Sequence, residues 1–244
     1  MIRPSLLVAL LGGLGLSLGL AAPALALCDN PTAIPGELYV CKAWPAQPEL
    51  SISARATPMP GSRADGVDSY SLDVSLQDIE NGWTLASNYQ DSALFSDAVA
   101  LQGLQIDTAR YRLNQEQWAF GLRVQYQHSS SAIPYEKTVL NLYRQRDKEV
   151  LVLLEGLLVD ERAGEFGWGG ECVGHSRSLH RTLEIGRGQG QGFADLIVRT
   201  REVRTEHFKG PEGCDSRELA PNNSAVTLHY DGRRYPLPKS LKGA

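Results

Sequence analysis

Between Val67 and Leu76 the chain alternates apolar and polar residues. Val67 is followed by Tyr70, Leu72, Val74 and Leu76 on one face, with Ser71, Asp73 and Ser75 on the other. A period of two over this length describes a half-buried β-strand and excludes a helix. The pattern returns at Trp118, Phe120, Leu122, Val124 and Tyr126, set against Ala119, Gly121, Arg123 and Gln125. Further β-prone runs are Leu38 to Lys42, Glu49 to Ala56, Val139 to Tyr143, Val150 to Val159, Leu179 to Ile185, Phe193 to Val203 and Ala225 to Tyr230. Turn chemistry separates them. Asn81-Gly82 and Asp231-Gly232 are hairpin signals, and the latter predicts a final hairpin with Arg233 to Leu237. Arg144 to Glu149 reads as a polar turn, and Gly186 to Gly192, with glycine at every second position, as a hairpin loop. One short helix is expected near Ser92 to Leu101. Roughly a dozen short strands with tight turns and no βαβ alternation predict an all-β chain, an antiparallel sandwich or barrel-like fold with little helix.

The first 26 residues stand apart. Arg3 precedes an apolar run from Leu6 to Leu20, and Ala24-Leu25-Ala26 is a small-x-small cleavage site, so residues 1–26 read as a secretory signal and Leu27 as the mature N-terminus. The run is short and glycine-rich for a membrane anchor. Cys28 follows closely enough to raise lipidation, but the residue before it is Leu27, not a small one. No later stretch is long and apolar enough to span a bilayer. Residues 27–60 are expected to form an N-terminal annex and residues 61–244 the main β domain.

Cys28, Cys41, Cys172 and Cys214 all follow the signal. An even number of cysteines in an exported chain implies disulfides. Four cysteines allow three connectivities, and Cys28–Cys41 with Cys172–Cys214 needs the shortest loops. A metal site is the competing reading, but no pair has CxxC spacing and no histidine lies at a ligand offset beside one. The formal charge is −4 over 244 residues with 42% hydrophobic content. That balance supplies a core and argues against a nucleic-acid binder, a disordered chain or a polytopic membrane protein.

Catalytic motifs are absent. Gly174-His175-Ser176-Arg177-Ser178 lacks the last glycine of a nucleophile elbow, and the Gly186–Gly192 run lacks the third glycine of a dinucleotide fingerprint. His175 and His180 are five apart and face opposite sides of a strand. Asp160, Glu161, Glu165 and Glu171 cluster in sequence, which by itself does not give the fixed separation that glycoside hydrolysis needs. No residue is assigned to catalysis, metal or cofactor. The most distinctive stretch is Asp160 to Glu171, where Phe166 and Trp168 alternate with glycines in an expected loop closed by Cys172. Aromatic residues on such a loop suit a binding surface, with Glu161, Glu165 and Glu171 as its charges. Arg199 and Arg201 share one strand face and form a second candidate contact for an acidic partner.

The signal, the two cysteine pairs and strands such as Gly192 to Val198 resemble, in organisation, the exported inhibitor and immunity proteins of Gram-negative bacteria: periplasmic lysozyme inhibitors and immunity partners of type VI effectors. The resemblance implies a periplasmic chain, no enzyme, that binds a protein partner and occludes its active site through a loop such as Glu165 to Glu171. The alternatives are a hydrolase of envelope polymers, with His175, His180 and the glutamates converging in a pocket, and a structural or ligand-carrying envelope protein built as a closed barrel with a wide apolar interior.

Overall fold

A computed structural model describes Cys28, residues 34–60, 66–167 and 172–243. The expected signal, Trp168 and Glu171 lie outside the described residues. The described residues form twelve strands: β1 (Leu38–Ala43), β2 (Leu50–Pro58), β3 (Asp68–Asp78), β4 (Thr84–Ser96), β5 (Ala100–Arg112), β6 (Trp118–His128), β7 (Tyr135–Arg146), β8 (Glu149–Phe166), β9 (Gly174–Gly190), β10 (Phe193–Gly210), β11 (Gly213–Glu218) and β12 (Asn222–Leu228). The all-β expectation holds, and the described helix is one 3-10 turn at Lys239–Leu241. The pairing path runs β1-β2-β3-β4-β8-β7-β6-β5; β9 joins β8 to β10, and β10 carries β11 and β12 on its other edge. Pairing is antiparallel except for one parallel contact, Ser87 with Glu149, between β4 and β8. The sheet does not close into a barrel.

Two apolar cores explain the layering. In one, Ile52, Leu72, Val74 and Leu76 of β2 and β3 meet Leu104, Ile106, Phe120, Leu122 and Val124 of β5 and β6. Trp44, just past β1, sets its ring edge-on to Phe120 with centroids 5.2 Å apart. In the other, Leu140, Leu142, Leu153, Leu157 and Val159 of β7 and β8 meet Phe193, Leu196, Val198 and Leu228 of β10 and β12. The β6–β8 section therefore lies between two others and is buried on both faces. This is why Leu151 to Val159 lacks clean alternation. Both Leu153 and Leu154 face the second core because the β7–β8 register shifts there: Leu142 pairs with Leu154 and Tyr143 with Val152, which leaves Leu153 as an extra residue. A second shift lies opposite Asn141 at Glu155-Gly156, where Gly156 takes a φ of +80°. The Gly156 N–H donates to Asn141 Oδ1 at 2.7 Å.

Three local expectations are corrected. The segment from Ser92 to Leu101 is not helical; it is the end of β4, a short turn and the start of β5. Tyr70 pairs with Leu94 and Leu72 with Gln90, so three β4 residues face the single Ser71 and two extra residues bulge out around Ser92, which takes a φ of +47°. Gly186 to Gly190 is strand, not loop, and the turn is only Gln191-Gly192, with φ of +51° and +90°. Alternate glycines bare one face of β9, and Asp195 occupies it: a Cβ on Gly188 would lie 2.1 Å from Asp195 Oδ2. Arg233 to Leu237 forms no hairpin with β12. Asp231 Oδ1 instead accepts from the Arg233 and Arg234 N–H groups at 2.8 Å each, and the chain turns across β8. There the Tyr235 N–H donates to Leu153 O and the Gly243 N–H to Gly156 O.

Arg181 fixes this returning segment. Its side chain is 7% exposed and donates to Leu158 O at 2.9 Å, Ser240 O at 3.1 Å, Leu241 O at 3.4 Å and Thr200 Oγ1 at 3.1 Å. Burial pulls its pKa below the ordinary arginine value, and the charge of Glu161 opposes that shift.

The disulfides are Cys28–Cys41 and Cys172–Cys214. The first ties Cys28 to β1. The second joins the approach to β9 to β11.

Candidate functional site: the distal end of β8 to β11

Beyond Val159 the strand β8 leaves the core and continues to Phe166, so Asp160 to Phe166 is strand and not the expected loop. It runs antiparallel to β9, with Asp160 opposite His180, Glu161 opposite Leu179 and Phe166 opposite Gly174. β10 and β11 extend the ladder, with Glu206 opposite both His175 and Arg217. The ribbon shows a polar face on each side.

On one face Glu161, 7% exposed, is an internal buttress. Its carboxylate accepts from the Arg177 guanidinium and from the Tyr135 hydroxyl, the latter at 3.0 Å. Burial, with the Glu161 charge beside it, pushes the Tyr135 hydroxyl up to about 12. Glu161 is committed to this triad and is not a free recognition charge. Further out lie the exposed pairs His175–Glu165 at 3.6 Å and Arg217–Glu206 at 2.5 Å. A hollow of about 550 Å³ sits among Ala163, Glu165, His175, Arg177, Arg204 and Leu219.

On the opposite face His180 Nδ1 lies 2.6 Å from Asp160 Oδ1, and Arg123 stands 3.7 Å from the same carboxylate. Arg201 sits opposite His180 in register. Among the described residues it has no carboxylate partner, whereas Arg199 is held by both oxygens of Glu184 at 2.8 and 2.9 Å. Ser176 Oγ lies 2.8 Å from His207 Nε2, and Phe166 stacks at a tilt on the same imidazole, 5.1 Å between centroids. Phe166 therefore caps the strand end. The Ser176–His207 contact spans 31 residues and has no signature in sequence; only the β9–β10 register reveals it. Arg177 and Tyr135 were likewise invisible as partners of Glu161.

The end of the ribbon is apolar where it meets water. Val173, Phe208 and Leu219 are exposed large hydrophobics there, and Ile133 joins them from the preceding loop, whose Ala132 carbonyl accepts from the Phe166 N–H. Cys172–Cys214 closes this end covalently.

Among the described residues, no group of three or more His, Cys, Asp or Glu side chains could hold a metal ion, and no helix is long and apolar enough to cross a membrane. His175 and His180 lie on opposite faces and do not converge with the glutamates into one pocket. No protein-family model, curated protein or solved structure matches this chain.

Proposed function

We propose that the chain is an exported binding protein that occupies a protein partner with the distal end of the β8–β11 ribbon, acting as an inhibitor or as the immunity partner of an effector. One observation carries this reading. Ile133, Val173, Phe208 and Leu219 are exposed at one disulfide-closed end of an otherwise polar ribbon. On the same face the register sets the ion-paired row of Glu165, His175, Glu206 and Arg217 between Leu219, beside Arg204, and the outer residues Val173 and Phe208. Exposed apolar side chains interleaved with ion-paired ones are a surface of the kind that protein interfaces bury. Two disulfides suit an oxidising compartment, which supports the periplasmic assignment. The inhibitor or immunity role itself rests on the layout read from sequence.

The test is affinity capture of the full chain's partner from its own host, then titration of that purified partner against wild type and a Val173→Ser/Phe208→Ser variant. Both side chains are exposed, so the variant keeps its unfolding temperature. Binding should weaken by more than about tenfold, since interface anchors contribute at least that much. Unchanged affinity in the folded variant refutes the surface.

Hydrolysis is the second reading, favoured by the Ser176–His207 pair. Ser176 sits mid-strand between Gly164 and Thr205, with ladders on both sides. The neighbouring backbone N–H groups are thus engaged in the sheet, not grouped to stabilise an oxyanion.

A further inference from the structure

The outward face of β1 to β4, far in sequence from the ribbon, has a composition that a plain solvated sheet does not need. Register stacks residues across all four strands. One row runs Cys41, Ser53, Ser75, Ser87, and the next runs Tyr39, Arg55, Asp73, Tyr89. Ser51, Ser53, Ser71 and Ser75 point away from the core yet are only 2–7% exposed, and Ser53, Ser71 and Ser75 line the floor of a trough of about 780 Å³. Ser51 Oγ and Ser71 Oγ reach main-chain carbonyls only at 3.5 Å, the outer limit of a hydrogen bond. Three inter-strand steps put Tyr39 and Tyr89 about 14 Å apart at the two ends of their row.

The two ends differ. The Arg55 guanidinium lies over the Tyr39 ring at 4.9 Å and is paired with Glu37. Asp73 accepts from Ser75 Oγ. The Tyr89 residue is 62% exposed, its hydroxyl held by Asp91 at 2.9 Å, and Trp83 is 72% exposed beside Gly82 and Thr84 of the trough wall.

We infer that this trough binds an uncharged oligosaccharide. A sugar ring offers an apolar C–H face and a rim of hydroxyls. An exposed aromatic ring takes the face, while serines, Gln77, Asp73 and Arg55 pair with the rim. Glu37 already neutralises Arg55, and Asp73 and Asp91 add negative charge, so the site repels a polyanion and admits a neutral glycan. Its span suits several linked sugars, not one. The site lies outside the proposed protein-binding surface, so the two can fail separately.

The test uses the full mature chain, with hexamers of β-1,4-linked N-acetylglucosamine and of β-1,4-linked glucose titrated calorimetrically and followed by tryptophan fluorescence. One hexamer should bind, and Tyr89→Ala and Asp73→Asn should each weaken it by about tenfold or more without altering thermal unfolding. Val173→Ser/Phe208→Ser should bind as wild type. Failure of both hexamers to bind wild type overturns the inference, as does unchanged binding in both variants. A self-association that Tyr89→Ala abolishes, with no sugar binding, assigns the face to protein instead and equally overturns it.

Discussion

Replacing Arg181 by methionine tests how the C-terminal segment is held. The guanidinium is buried and serves three carbonyls, Leu158, Ser240 and Leu241, plus the Thr200 hydroxyl. Hydrogen bonds from a charged donor contribute about 1.5–3 kcal/mol each, so the two shortest carbonyl contacts alone set a gross loss of about 3–6 kcal/mol. Methionine keeps much of the volume and removes the cost of burying a charge, which returns part of that sum. A net loss of about 3 kcal/mol follows, or about 6–12 °C in unfolding temperature for a chain of this size. Thermal unfolding followed by circular dichroism gives the total. Hydrogen exchange at the Gly243 amide, bonded to Gly156 O, gives the local part. Arg181→Lys keeps the charge but not the planar fork that reaches all three carbonyls, so it should fall nearer methionine than wild type. A methionine variant as stable as wild type, with Gly243 still protected, refutes the reasoning: the clamp would then contribute no more than its desolvation costs.

Two further outcomes follow from the same structure. Removing Cys172–Cys214, which closes 42 residues, should destabilise the chain by about 4 kcal/mol, and removing Cys28–Cys41, which closes 13, by about 3 kcal/mol; denaturant titration of the paired-serine variants ranks them, and equal losses would contradict the loop-length argument. Burial alone would raise the Asp107 carboxyl, but the Ala109 N–H and Arg123 outweigh it and hold its pKa below 3.8. A depressed folded pKa adds stability above the unfolded value that is lost as pH falls through the folded one. Wild type should therefore lose this increment only below about pH 4, and Asp107→Asn should lack it at neutral pH and show a flatter acid limb; parallel acid-unfolding curves would contradict this.

Strands with one wet face were legible. Val67 to Leu76 alternates because β3 has a core on one side and the serine trough on the other. The turn at Asn81-Gly82 was equally plain, since Gly82 takes a φ of +73°. Where tertiary contacts decide, local pattern misleads. Ser92 to Leu101 has helix-compatible spacing, but pairing of Leu94 with Tyr70 draws it into β4. Arg233 to Leu237 looks like a strand after an Asp-Gly turn. Yet Tyr235 is buried in the second core, its N–H donates to Leu153 O and its hydroxyl donates to Ala194 O at 2.6 Å. The local disulfide pairing matched the structure because short loops cost least to close. In the candidate site the residues were visible and their roles were not. Glu161 reads as a surface acid until register sets Arg177 and Tyr135 against it. Arg199 and Arg201 look equivalent until Glu184 engages only the first.

The crossing of β8 by residues 235–243 also sets a clock. A chain is made from its N-terminus, and β8 is complete some seventy residues before Tyr235 arrives. During that interval Leu153 and Leu157 have no cover from Tyr235 or Leu241, and the Leu153 and Gly156 carbonyls await their donors. The middle layer is thus aggregation-exposed in a growing chain, and residues 235–243 are the ones that end the exposure. A stop codon just before Tyr235 would leave β1 to β12 made and the central layer still open.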